Sequence, residues 1–255
     1  MVVRGAVDPI GKDAAPVPRV GTAGWAIPRH TANGAPGDGT HLQRYARVLS
    51  CAEINSSFHR PHRPAVYAKW AAATPPEFRF AVKLPRTSTH DLALRSCGDQ
   101  LDAFFEECAG LGEKLHVVLV QLPPSFAFDR RIVATFLRTL RRRFEGHVAC
   151  EPRHASWTSS SADALMREHR VARVAADPAR APGLEHPGGW DRLLYLRLHG
   201  APRTYWSSYD PERLEYYARL IADAHASERW CIFDNTASGA AFGNALHLQE
   251  LLLRP

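Results

Sequence analysis

The chain has 255 residues, 45% of them hydrophobic, and 32 basic against 26 acidic side chains give a net charge of +6. Such a length and apolar content fit one large domain or two small ones with a sizeable core, and they exclude wholesale disorder. No apolar run approaches the roughly 20 residues that span a bilayer, so no membrane association is expected.

In chain order, residues 1–17 read as a loose leader and residues 18–255 as one domain. The leader lacks the apolar middle of a signal peptide. A first strand over 19–25 enters a Gly-rich turn and a polar loop to Gly39. Helix signals at 40–49 precede a second strand at 51–55. A helix at 64–73 and a third strand at 78–83 follow. The next helical pattern, 98–111, sets Leu101, Phe104, Phe105 and Cys108 on one face. The fourth strand, 116–121, is stopped by Pro123 and Pro124. Asp129 caps a helix to 143, where Arg141, Arg142 and Arg143 suit the negative end of the dipole. Strand five is 148–151, a helix covers 159–169, and strand six, 171–176, ends at Asp177 and Pro178. Strand seven is 193–199. Pro211 opens a helix, strand eight is 230–235, and the closing helix is 240–253.

Near-continuous apolar strands alternating with helices predict a parallel sheet covered on both faces. Eight βα units in this length predict a single (β/α)8 TIM-like barrel of the α/β class. An open doubly wound sheet is the alternative. The five cysteines are odd in number, include no CxxC pair and fall largely in strands. Reduced core thiols and a cytoplasmic location are therefore expected. Only Lys12, Lys69, Lys83 and Lys114 are lysines. This arginine bias reads as coding background, although the positive balance suits an anionic partner such as nucleic acid.

Alternation along the strands predicts which side chains enter the barrel. Leu194, Leu196 and Leu198 share the helix-facing side, and Tyr195, Arg197 and His199 the other. The same reading turns Glu53, Asn55, Lys83, Glu151 and Arg153 inward, with Gln121, Asp177 and Asn235 completing the set. All lie at C-terminal strand ends, where barrel enzymes carry their sites. Glu53, Glu151 and Asp177 balance Lys83, Arg153 and Arg197, so a purely structural ion network is the competing reading.

Several pieces, in order, resemble the YecE-like family, the domain of unknown function numbered 72. They are Gly21-Thr22-Ala23-Gly24-Trp25, Glu53-Ile54-Asn55-Ser56-Ser57-Phe58, Phe78-Arg79-Phe80-Ala81-Val82-Lys83 and Thr89-His90. Gln121-Leu122-Pro123-Pro124, Glu151-Pro152-Arg153-His154 with Trp157, Arg197-Leu198-His199-Gly200 and Asn244-Ala245 complete them. The resemblance implies a TIM-like barrel with a groove at the strand ends, and no known reaction. The chain departs from the family pattern at Ala26-Ile27-Pro28, His59, Pro152 and Asp234, which precedes Asn235 where two asparagines are usual.

Anion binding is the expected role of Lys83, Arg153 and Arg197, because guanidinium forks and an ammonium suit phosphate or carboxylate. Glu53, Glu151 and His199 are the expected catalytic residues, working by proton transfer. Asn55, His90, Gln121, His154, Trp157, Asp177 and Asn235 are expected to line the ligand. Aromatics near the mouth, Trp25, Phe58, Trp157, Tyr205 and Trp206, suit stacking on a base or sugar. Glu53, Glu151, Asp177 and His199 are suitable metal ligands, but three nearby cations argue against a metal. No Walker loop, Rossmann fingerprint or Gly-x-Ser-x-Gly elbow occurs, and no cofactor is specified. The expected partner is a phosphate-bearing small molecule or nucleic acid. The expected enzyme is a hydrolase or lyase, and a non-catalytic binding barrel is the alternative.

Overall fold

The computed structural model describes residues 17–254. The expected leader lies outside the described residues except for Val17. The strands are β1 (Arg19–Ala23), β2 (Cys51–Ile54), β3 (Arg79–Lys83), β4 (Leu115–Gln121), β5 (His147–Glu151), β6 (Val171–Arg173), β7 (Ala175–Asp177), β8 (Gly188–Gly189), β9 (Leu193–Leu198) and β10 (Glu228–Phe233). The helices are α1 (His41–Tyr45), α2 (Pro64–Ala72), α3 (Gly98–Cys108), α4 (Arg130–Arg141), α5 (Ser160–Glu168), α6 (Pro211–Ala222) and α7 (Ala240–Leu253).

The strands pair in the order β7-β9-β10-β1-β2-β3-β4-β5-β6-β8. Every pair is parallel except the short β6–β8 ribbon. β6 and β7 are the two halves of the expected sixth strand, parted at Val174. The first half pairs with β5 and the second with β9, so the barrel closes through this broken strand. The Val174 N–H donates to the Cys150 carbonyl at 2.8 Å, which carries the ladder across the break. The expectation of eight βα units overcounts the helices. Between β7 and β9 the chain forms β8 and turns, and no α-helix among the described residues. Residues 178–190 hold three prolines and three glycines before the strand resumes, a composition that breaks helical periodicity.

Two apolar layers follow from the alternation. Ala52, Val82, Val118, Val148, Leu194, Leu196, Leu198 and Phe233 pack outward under the helices. Ala81, Val117, Leu119, Ala149, Tyr195, Trp230 and Ile232 fill the barrel. Local signals fix the helix starts. Thr40 and Gln43 form a reciprocal capping box on α1, and Asp129, Ser159 and Asp210 cap α4, α5 and α6. All five cysteines are free and buried. Among the described residues no helix is long and apolar enough to cross a membrane.

Gly21 marks a close approach of β1 to β2. A Cβ there would collide with the backbone carbonyl and Sγ of Cys51. Gly21→Ala is expected to lower stability by about 2 kcal/mol, roughly 4–8 °C in Tm. A thermal melt beside the wild type checks this.

Candidate active site at the C-terminal strand ends

At or within one residue of their C-terminal ends, β2, β4, β5, β9 and β10 each carry a polar side chain aimed into the barrel: Glu53, Gln121, Glu151, Arg197 and Asp234. These side chains meet in one network centred on Arg197. Its Nε and Nη2 donate to the two oxygens of Glu53 at 3.1 and 2.7 Å. Nη1 donates to Glu151 Oε2 at 2.5 Å, and Nη2 also donates to Asp234 Oδ2 at 3.0 Å. Tyr195 adds a hydrogen bond to Glu53 Oε2 at 2.8 Å. Arg197 and Glu53 are both fully buried. One cation holding three carboxylates is a stable buried arrangement only because four of its N–H groups are used. Arg197 is thus the tie beneath the mouth, and its donors are committed to protein. Glu53, expected as a catalytic carboxylate, has both oxygens taken by Arg197 and Tyr195.

Above this tie the groups are less saturated. Glu151 accepts from Gln121 Nε2 at 3.0 Å and from Arg153 Nε at 3.1 Å. His199 sits between two carboxylates. Its Nδ1 is 3.0 Å from Asp234 Oδ2, and its Nε2 is 3.3 Å from Glu151 Oε1. The second contact is close but misaligned, which leaves Nε2 without a proper hydrogen bond. Burial alone would lower the His199 pKa, but Glu151 and the bond to Asp234 outweigh it and hold it above the ordinary imidazole value. Burial opposes ionisation of Glu151 and Asp234 too. Arg197 and His199 nevertheless hold Glu151 well below, and Asp234 below, the usual carboxylate range.

Lys83, at the end of β3, is only 7% exposed. It forms no ion pair among the described residues, and its Nζ stands 4.1 Å from the centroid of the Phe58 ring. Burial and then the Arg197 charge push its pKa down to about 8, against the pull of Glu151, Glu53 and Asp234. The loops complete the rim. His90, in the turn Thr87–Asp91, packs edge-on to Phe58 at 5.1 Å, and burial with Arg86, Lys83 and Arg153 lowers its pKa. Tyr205 packs edge-on to His199 at 5.6 Å and its hydroxyl bears on Arg153. Gly200, at φ +89°, makes this turn. A Cβ there would sit 2.7 Å from the Ser207 carbonyl oxygen. Asn55 follows β2, and its buried Oδ1 has no hydrogen-bond partner.

Three expected ligand residues are placed elsewhere. Asp177 faces outward and accepts from Arg213 of α6 at 3.3 Å. Ala172 and Val174 belong to the inner layer and Ala175 to the outer one, so period two sends residue 177 out. Trp157 is buried in the helix-facing layer, donating from Nε1 to the Phe126 carbonyl at 3.1 Å. Asn235 also points outward, and its Nδ2 donates to the Ser207 carbonyl and to Asn244 of α7, each at 2.9 Å. Trp230 and Ile232 are inward, so Asp234 takes the inner place that the sequence reading gave to Asn235. His154 caps a local turn, accepting from the Ser156 N–H at 3.2 Å. Trp25 packs on Trp70 and Phe80, away from the mouth. With Asp177 outside, the carboxylates expected as metal ligands are not gathered, and Glu53 and Glu151 are held by arginine instead.

The profile of a family described as Protein of unknown function DUF72 matches residues 19–255. The UPF0759 protein YecE of Escherichia coli K12 is 32% identical over 107 residues. That match covers 42% of this chain and 38% of YecE, so it spans well under half of that relative. The UPF0759 protein YunF of Bacillus subtilis is 24% identical over 245 residues, covering 83% of this chain and 86% of YunF. Two solved structures share the fold. A DUF72 family protein of Thermotoga maritima superposes with a TM-score of 0.76 at 24% identity, covering 94% of this chain and 100% of that one. One from Enterococcus faecalis gives 0.77 at 22% identity, with 93% and 96% coverage. The barrel, its ordered strand-end motifs and the match across residues 19–255 lead to one assignment: the chain belongs to the DUF72 family.

Proposed function

We propose that the mouth binds a phosphate-bearing substrate and carries out proton transfer on it, as a hydrolase or lyase. Lys83 is the observation that carries this reading. In a purely structural network each buried cation meets a carboxylate, as Arg197 and Arg153 do. Lys83 instead keeps its ammonium over an aromatic ring, with none of the described carboxylates in ion-pair range. The formal charges of Lys83, Arg153 and Arg197 balance those of Glu53, Glu151 and Asp234 at 3 − 3 = 0. His199, its pKa raised by Glu151 and Asp234, adds positive charge whenever its ring is protonated, which favours an incoming anion.

The roles follow from what each group has left to offer. Lys83 supplies a point charge to the phosphate, and Arg153 a guanidinium already oriented by Glu151. Asn55 offers an unpartnered Oδ1 that can accept from a hydroxyl of the substrate. His199 is the proton donor. Its imidazolium is stabilised by two carboxylates, and Nε2 lacks an aligned partner. Glu151 and Asp234 stay ionised and keep the ring charged and oriented. Glu53 holds Arg197 in place and reaches no ligand. Proton transfer therefore rests on His199 with Glu151.

A second reading, single-stranded nucleic acid as the ligand, has its own support. The rim loop after Gly200 exposes Tyr205 (37%) and Trp206 (44%), and Arg203 lies 4.3 Å from the Trp206 ring. Exposed aromatics beside arginine suit base stacking.

The test is binding of pyrophosphate and of a short single-stranded oligonucleotide at low and moderate salt. Arg153→Ala is expected to weaken either ligand about tenfold, the loss of one charged hydrogen-bonding group. A steep fall in oligonucleotide affinity with salt selects the nucleic-acid reading. No binding of either ligand by the wild type would contradict the proposal.

A further inference from the structure

The opposite end of the barrel holds a second polar cluster that the mouth does not use. His116 is the second residue of β4, His147 the first of β5 and Glu228 the first of β10. The β3–β4 register slips here: Phe80 pairs with Leu115 and Ala81 with Val117. His116 is the residue passed over. This irregularity turns its ring into the barrel, where it stacks on Trp230 at 5.7 Å and 17°. Three strands separate β4 from β10 on one side of the ring, so the cluster bridges the barrel floor.

One ligand atom from each of the three lies within 4.8 Å of the others. His116 Nε2 is 3.2 Å from Glu228 Oε2. Tetrahedral zinc, with bonds of about 2.0–2.1 Å, spaces its ligands by roughly 3.4 Å. That pair therefore already has the right separation, and His147 has to close by about an ångström to join. A second observation points to a ligand. The His116 side chain is wholly buried, and neither ring nitrogen has an aligned hydrogen-bond partner. A buried imidazole left in that state is costly. The Trp230 indole N–H donates to Glu228 Oε2 at 3.2 Å, the kind of contact that orients a ligating carboxylate.

We infer that His116, His147 and Glu228 form a site for one divalent transition-metal ion, of the zinc type, that pins β4 and β5 to β10 across the barrel floor. Two imidazoles and one carboxylate suit zinc, cobalt, nickel or iron and not the harder calcium or magnesium. The position fits a structural ion, since the N-terminal face of a barrel serves stability and the other face serves chemistry.

The test is a Co2+ titration of the chelator-stripped full chain. A visible absorption that saturates at one Co2+ per chain is expected. It should be absent from His116→Gln and Glu228→Gln and kept by His199→Gln at the other end. Zn2+ should raise the Tm of the stripped wild type and leave that of His116→Gln unmoved. Should the glutamine variants not fold, Glu228→Asp is expected to fold with a shifted cobalt spectrum. An unshifted spectrum there, no saturable signal in the wild type, or a signal lost in His199→Gln and kept in Glu228→Gln, would overturn the site.

Discussion

Arg197→Met is expected to lose about 3–5 kcal/mol, the usual result of removing one partner from a buried charge network. Folded domains have only about 5–15 kcal/mol in total, so the variant should express poorly and melt far below the wild type. The cause is specific. Glu53, Glu151 and Asp234 would remain inside the barrel without the guanidinium that joins them. Two further measurements separate this from simple loss of packing. Glu53→Gln added to Arg197→Met is expected to recover part of the loss, because the two residues act as a pair. The pH dependence has a definite sign. In the wild type, Glu151 and Asp234 titrate below their unfolded values, mainly through Arg197 working against burial. Their contribution is therefore present above the unfolded pKa and lost as pH falls through the folded one. The gap between wild type and Arg197→Met should narrow in acid. A gap that stays constant from pH 7 to pH 3 would show that the charges are not the cause.

Lys83→Met is expected to do the reverse, strengthening the fold while abolishing the anion site. A folded pKa near 8 against an ordinary 10.5 corresponds to roughly 3 kcal/mol at about 1.4 kcal/mol per unit. A cation–π contact with Phe58 offsets about 1 kcal/mol or more of this when methionine replaces the ammonium. The net gain near pH 7 is about 2 kcal/mol by the same arithmetic. The folded pKa is depressed, so the penalty on the charged lysine is complete below pH 8. It is relieved as pH rises towards 10.5, and the advantage of the variant should fade over that window. A Lys83→Met protein less stable than the wild type at pH 7 would make this lysine structural. A more stable protein that no longer binds anion would mark it as a residue kept for function.

Much of the barrel was legible because period two survives in strands buried on both faces. Tyr195, Arg197 and His199 against Leu194, Leu196 and Leu198 is an unambiguous alternation, and it puts the network on the correct face. The signal failed where both parities are apolar or the strand is irregular. β10 reads Trp-Cys-Ile-Phe before Asp234 and Asn235, so nothing local says which of the two enters. Asp234 was visible only as a departure from the family pattern. The break at Val174 and the outward turn of Asp177 depend on ladder partners in β5 and β9, far away in sequence. His116 escaped notice for the same reason, since a β-bulge moves a side chain to the other face without changing the composition around it. Trp157 was misjudged because a tryptophan beside a polar strand end suits a ligand rim and an inter-layer core equally well.

The most direct test of the charged mouth is pyrophosphate affinity followed from pH 6 to pH 10 in wild type and Lys83→Met. The wild type is expected to bind below pH 8 and to lose about tenfold in affinity as Lys83 discharges. Lys83→Met should bind weakly throughout, with no step near pH 8. Equal affinity in the two proteins, or a wild-type curve flat through pH 8, would contradict an anion site built on Lys83.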